Sequence, residues 1–311
     1  MTAIKPLGAF YHEVWNVGVV HQEATDIVAR GLVEPVHWLS PPPEWTFLAD
    51  PSCRVHEDGG LTLYAEKMDY WIGRGEIWST YSPPGADPAL ARFSPLLEAG
   101  VHLSYPFPFI DDEGRSCMTA ESWEAGAAWL WQEQGSVWSL TSKIFDGRPV
   151  VDPTLWRGDD RWWLFCTFQD DGPNEKLHLF HAPRVSGPWT PHRCNPIVSN
   201  NGSARPGGPL FWADGTLVRP SQDCSCTYGG ALMLNAVTRL DSDLYSEKPI
   251  RSIEPLAPYS SGLHTFCPAG KWTLIDGKRW QFHLSEPARK VLLRSWRRLL
   301  AACGQARLVC D

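Results

Sequence analysis

The sequence predicts an all-β fold, a five-bladed β-propeller followed by a C-terminal amphipathic helix. A strand–turn–strand unit recurs about every fifty residues, and four of its five copies carry a proline at the same place. The 311 residues also include 26 glycines, 27 prolines and 17 tryptophans, a composition that suits short aromatic strands joined by tight turns. The units open as "FLADPSCRVHEDGGLTLYAEKM", "HLSYPFPFIDDEGRSCMTAESW", "VVDPTLWRGDDRWWLFCTFQD", "GSARPGGPLFWADGTLVRPSQD" and, lacking the proline, "SGLHTFCPAGKWTLIDGKRWQF". Pro51, Pro106, Pro153 and Pro206 are separated by 55, 47 and 53 residues. A β-sandwich would also give short strands and turns, but not this repetition.

Each unit follows one grammar. A polar residue precedes the proline; an apolar strand, a charged or glycine turn and a second strand follow, and that strand ends on Glu66, Glu121, Gln169 or Gln222. The inner strands of a propeller enter the channel from one end. The residues before the prolines, Asp50, Tyr105, Asp152 and Arg205, with His264 in the fifth unit, are therefore expected to converge on one mouth. Asp–Pro at a strand entry is also ordinary turn chemistry; its recurrence at one repeat position favours a shared polar funnel. The strand pattern "EVWNVGVV" near the N-terminus is expected to complete the last blade, so that residues 1–286 form the propeller.

Residues 287–311 read as the helix. Pro287 can start it, and Val291, Leu292, Trp296, Leu299, Leu300 and Cys303 recur at helical spacing with arginines opposite. Two placements fit such a helix: its apolar stripe packs on the propeller with a solvated charged face, the favoured one, or it lies on an anionic membrane surface and meets a lipid-linked substrate.

Net charge is −7, divided between +5 over residues 288–311 and −12 over the rest, and an acidic body argues against nucleic acid as the main ligand. Hydrophobic residues make up 43% and charged residues 20%, a globular balance. No apolar run is long enough to span a bilayer, and the first twenty residues lack the apolar core of a leader peptide. The nine scattered cysteines suit reduced thiols, so a cytoplasmic location is expected. The "CSC" at 224–226 has the wrong spacing for a zinc knuckle.

The repeated "ADP" and "VDP" and the fifth-unit "SGLHTF" resemble the five-bladed furanosidase superfamily that includes glycoside hydrolase families 43, 32 and 68. The longer series "WNVG", "FLADP", "HLSYPF", "AES", "VDPTLW", "RWWLF", "GPWTPH", "ARPGG", "RPSQDCS" and "GLHTF" is similar to the N-terminal region of plant glucosamine inositolphosphorylceramide transferases and their bacterial relatives, over nearly the whole chain. The superfamily resemblance implies a base or nucleophile aspartate in the first blade, a supporting aspartate in the third and an acid glutamate in the fourth. Asp50 and Asp152 match the first two, whereas Arg205 stands where the acid is expected. That departure argues against ordinary family-43 hydrolysis.

The candidate catalytic residues are therefore Asp50, Asp152 and, as replacement acid, Glu121 with Asp223 behind it, because carboxyls with separated pKa values can divide acid and base roles at a glycosidic bond. Arg205 and Arg219 offer forks for phosphate or carboxylate. Glu66, Gln222, Tyr105, Trp123 and His264 complete the expected substrate contacts, and Tyr70 and Trp71 are placed to stack on a sugar ring. No cofactor is expected; the resemblance allows a structural calcium ion near His264. The expected function is glycosyl transfer, phosphorolysis or hydrolysis on an anionic or phosphorylated glycoconjugate. Two alternatives stay open: a glycan-binding propeller without catalysis, and a cyclase or lyase acting on a non-sugar substrate.

Overall fold

Each sequence unit becomes one antiparallel sheet, and five such sheets close into a ring. The computed structural model of the protein describes residues 8–135, 137–293 and 295. Blade I runs outward through Thr46–Val55, Leu61–Asp69, Arg74–Ser82 and Ser94–Leu97. Blade II is built from Ser104–Ile110, Ser116–Glu121, Ala127–Gln134 and Val137–Asp146, and blade III from Val150–Arg157, Trp162–Phe168, Lys176–Ala182 and Thr190–Pro191, with Val198–Ser199 added to its third strand. Blade IV holds Phe211–Ala213, Thr216–Asp223, Ala231–Leu240 and Tyr245–Ile253. Blade V joins the two ends of the chain: Phe266–Ala269 and Trp272–Phe282 are continued by Tyr11–Val20 and Val36–Trp38. Tyr11–Val20 pairs with Trp272–Phe282 over ten consecutive residues.

Hydrophobic burial follows this geometry. The apolar side chains of the described residues form five clusters, one at each junction between neighbouring blades. Phe107 and Leu130 meet Trp162, Leu164 and Phe180 between blades II and III; Val17, Val19 and Leu274 meet Leu48, Leu61 and Leu63 between V and I. The tryptophans that the sequence offers in "RWWLF" are spent here, with Trp162 facing blade II and Trp163 facing blade IV.

A single distortion recurs on the inner strands. Asp50, Tyr105 and Asp152 have φ of 51°, 46° and 47°. At each of them two residues of the inner strand face one on its partner: the register jumps between Ala49 and Ser52, between Ser104 and Phe107, and between Val151 and Thr154. The proline explains the position, since a residue without N–H is tolerated in a sheet at a bulge. A left-handed non-glycine residue costs on the order of 1–3 kcal/mol, so each bulge needs a compensating contact.

The C-terminal helix, residues 286–293, departs from the expected packing at Val291 and Leu292, the two stripe residues within it. Glu286 and Arg289 are buried whereas Val291 and Leu292 are exposed. Arg289 donates to both carboxylate oxygens of Glu286 at 2.7 Å and to the carbonyl of Tyr70 at 2.8 Å, and its guanidinium lies over the rings of Trp45 and Tyr70. A planar guanidinium is suited to aromatic faces and to carboxylate forks, and this pairing turns the polar side inward. Trp296, Leu299, Leu300 and Cys303 lie outside the described residues.

Candidate functional site

The bulges at Asp50 and Asp152 aim their side chains at one cavity of 180 Å³ at the channel mouth, lined by Asp50, Glu66, Glu121, Asp152, Arg205 and His264 together with Glu13, Trp15, His102 and Tyr228. Its carboxylates are tied to the ring by main-chain bonds. Asp276 of blade V accepts the N–H of Asp50 at 3.2 Å. Asp50 accepts the N–H of Tyr105 at 3.1 Å, and Glu121 accepts that of Asp152 at 3.0 Å. All three strained bulges thus donate to a carboxyl group of the preceding blade, a contact that offsets the strain. At the next junction Asp152 receives Arg205 Nε at 2.7 Å and Gln222 Nε2 at 3.1 Å from blade IV. The Tyr105 hydroxyl, buried behind the cavity, bonds Thr154 Oγ1 at 2.8 Å and accepts the N–H of Gly208 at 2.9 Å.

His264 is held on two sides. Its ring stacks on Trp15 with centroids 3.9 Å apart, and its Nδ1 meets Asp276 Oδ2 at 2.5 Å, which leaves Nε2 facing Asp50 Oδ1 at 3.7 Å. Asp50 Oδ1 also accepts the Thr265 hydroxyl at 3.1 Å. Arg205 reaches Glu121 at 3.9 Å and Asn174 at 3.1 Å, and its guanidinium lies over the Tyr228 ring. His102 Nε2 stands 3.7 Å from Glu66, its Nδ1 accepting the N–H of Gly75.

Burial and crowding move the acids apart. Desolvation pushes the Asp50 carboxyl up to about 6, with His264 pulling it down and Asp152 and Asp276 adding to the rise. Desolvation, then the neighbouring carboxylates Asp50 and Glu121, raise Glu66 well above the usual carboxylate range. Glu121 is raised likewise, by desolvation and then Asp152, against the pull of Arg205. For His264 burial acts downward, but Asp276 and Asp50 outweigh it and the imidazole is raised. Asp276 ends low: burial acts upward, and His264 together with the His264 and Thr265 N–H bonds overcomes it. The cavity and its wall therefore bring together Asp50, titrating near neutrality, the raised carboxyls of Glu66 and Glu121, and the His264–Asp276 pair.

A family model described as "Glucosamine inositolphosphorylceramide transferase 1, N-terminal" matches residues 33–255. The chain belongs to this family. Glucosamine inositolphosphorylceramide transferase 1 of Oryza sativa subsp. japonica is 35% identical over 212 residues, and that of Arabidopsis thaliana 31% identical over 211. The matches cover 66% and 65% of this chain but 28% and 27% of those relatives, so the chain spans just over a quarter of their length. Among solved structures, the α-L-arabinofuranosidase PaAbf62A from Podospora anserina superposes with a TM-score of 0.54 at 10% identity, over 73% of this chain and 78% of that one. The family 117 glycoside hydrolase Zg3597 from Zobellia galactanivorans gives 0.53 at 12% identity, over 78% and 87%. At such identities the likeness shows the propeller fold alone.

In this member of the transferase N-terminal family the cavity gathers six of the residues singled out from the sequence, with Tyr105 and Gln222 behind them as supports. Five others lie elsewhere, among them Tyr70, whose hydroxyl is bonded to the Glu13 carbonyl behind the lining, and Trp71, which is exposed on its turn. Arg219 is fully buried in blade IV, bonded through Nε and Nη2 to Glu247. Asp223 lines a separate cleft with Asn200, Tyr245 and Glu247, and Trp123 sits on a short helical turn outside the cavity lining. Asp276, Trp15, Glu13, His102 and Tyr228 were missed. Asp276 had a signal, for it is the fifth unit's counterpart of Glu66, Glu121 and Gln222 on the second strand. The others come from connecting segments and the closing strand, where the repeat grammar is silent.

Asp50, His264 and Asp276 also bring one ligand atom each to within 4.8 Å of one another. Both Asp276 oxygens are already met by donors, from the N–H groups of Asp50, His264 and Thr265 and from the imidazole. Calcium takes about 6–8 oxygen ligands. This donor set suits a proton-bridged triad better than a directly coordinated calcium ion.

Proposed function

We propose that the channel acts at a glycosidic bond of an anionic or phosphorylated glycoconjugate, with Asp50 as base or nucleophile and Glu121 as acid. The observation that carries this is the convergence of Asp50 and Glu121 on one cavity, where burial pushes Asp50 up to about 6 and Glu121 well above the usual carboxylate range. Protonated Glu121 would donate to the departing glycosidic oxygen as Asp50 attacks the anomeric carbon or deprotonates the acceptor hydroxyl. The imidazolium of His264, fixed by Asp276, faces Asp50 and favours its ionised form. Asp152 orients Arg205, whose guanidinium borders the cavity and matches a phosphate or carboxylate. The relatives' name, glucosamine inositolphosphorylceramide transferase, supports a phosphorylated glycoconjugate and transfer rather than hydrolysis.

A second reading, recognition of a glycan without turnover, is favoured by the main-chain bonds that Asp50 and Glu121 make to the next blade, since these give both carboxylates a structural task. Turnover separates the two. Wild type, Asp50→Asn, Glu121→Gln and Arg205→Lys would be screened against monosaccharides, sugar phosphates and nucleotide sugars for binding by ligand-observed NMR and for product by mass spectrometry. Catalysis predicts that the two carboxyl variants bind but form no product, and that Arg205→Lys weakens phosphorylated ligands about tenfold or more. Full turnover by both carboxyl variants would sink the assignment, and binding with no product from wild type would leave recognition.

A further inference from the structure

The rim of the cavity carries an apolar surface that the channel chemistry does not use. Trp71 and Ile72 project from the turn between the second and third strands of blade I, and more than half of each is exposed. Beside them the chain leaves blade V through Leu284, 76% exposed, and enters the helix that turns Val291 and Leu292 to solvent. Contacts tie the turn to the start of the helix: Trp71 packs edge-on against Trp45 at 5.8 Å, Trp45 meets His283, the neighbour of Leu284, at 4.3 Å, and Arg289 of the helix covers Trp45. The patch shares a wall with the cavity. Tyr70 hydrogen-bonds the carbonyl of Glu13 at 2.6 Å and packs edge-on against Phe47, and Glu13 and Phe47 both line the cavity.

We propose that this patch docks on the surface of an anionic phospholipid bilayer and turns the channel mouth toward the lipid headgroups. An indole beside aliphatic side chains at a tip is suited to the interface between headgroups and acyl chains. The helix supports the same occupant: the Glu286–Arg289 ion pair faces inward, and Val291 and Leu292 face out. Charge agrees, because from Lys290 to the end the chain has five basic residues and only Asp311 acidic. A bilayer on this side would offer a membrane-borne glycoconjugate directly to Asp50, Glu121 and Arg205.

The proposal uses the channel only to name which end faces the membrane, and its test does not depend on turnover. The 311-residue chain would be sedimented with phosphatidylcholine vesicles with and without phosphatidylserine, at low and high salt. Wild type is expected to pellet with phosphatidylserine vesicles and to be released by salt; Trp71→Ser/Ile72→Ser should cut partitioning about tenfold or more, and Leu292→Ser several-fold. Both variants alter exposed side chains, so an unchanged Tm is the control for folding. Failure of wild type to pellet would overturn the proposal, as would equal partitioning of wild type and the double variant. A dimer seen by light scattering and abolished by Trp71→Ser/Ile72→Ser would assign the patch to a second copy of the chain, and would overturn it as well.

Discussion

Replacing Asp50 by asparagine should stabilise the protein at neutral pH while abolishing product formation. In the unfolded chain this carboxyl ionises near 3.8; in the fold burial moves it to about 6. The fold therefore keeps a proton that the unfolded chain has released, and the stability carried by the neutral form is complete below pH 3.8 and lost as pH rises through 6. The displacement corresponds to ~3 kcal/mol at pH 7.5. Asparagine approximates the neutral form. Its oxygen can accept the Tyr105 N–H, and its amide can face the Thr265 hydroxyl, which is free to rotate and accept. Guanidinium unfolding of both proteins between pH 4.5 and 8 should show the variant ahead by ~2–3 kcal/mol at pH 7.5. The gap should narrow to ~1 kcal/mol at pH 4.5. A variant less stable than wild type at pH 7.5, or a gap that does not change with pH, would refute the reasoning.

Two further substitutions probe the ring. Arg205→Met leaves the Asp152 carboxylate buried with Gln222 as its remaining side-chain donor, and should cost ~3–5 kcal/mol in chemical denaturation; a loss under ~1 kcal/mol would show that the pair is not coupled. Gly208→Ala would place a Cβ 2.0 Å from the Phe266 carbonyl oxygen at a backbone φ of +136°, where blade IV meets blade V behind the Tyr105 hydroxyl. A fall in stability of ~3 kcal/mol or more is expected by thermal unfolding, and an unchanged Tm would contradict the close contact.

The fold was legible because a repeat reports both its unit and its number. The prolines marked the bulge on three inner strands, and in doing so marked Asp50 and Asp152 as side chains thrown into the channel. What the repeat could not report was the direction of partners across the ring. Arg219 looks from sequence like a second anion fork, yet position along the strand puts it one blade layer away with Glu247. His102 comes from the segment between blades I and II and Tyr228 from the turn between the second and third strands of blade IV, where no periodicity applies. The C-terminal helix shows the same limit from the other side: the aromatic pair Trp45 and Tyr70, distant in sequence, decides that the guanidinium of Arg289 lies inward.

The shared closing blade means that the recognisable stretch and the folding unit are different lengths of chain. Residues 33–255 contain blades I to IV and only the outermost strand of blade V, Val36–Trp38. Excised at those limits, the chain would be an open four-bladed arc with the apolar seams of Leu48, Leu61 and Leu63 on one side and Val218, Leu232 and Leu234 on the other exposed to water. It would also lack Trp15, His264 and Asp276, and with them the group that holds Asp50 in place. Any autonomous version of this unit in a longer protein must therefore carry its first strand and its last two together, and the two chain ends it presents to neighbouring sequence leave from the same blade.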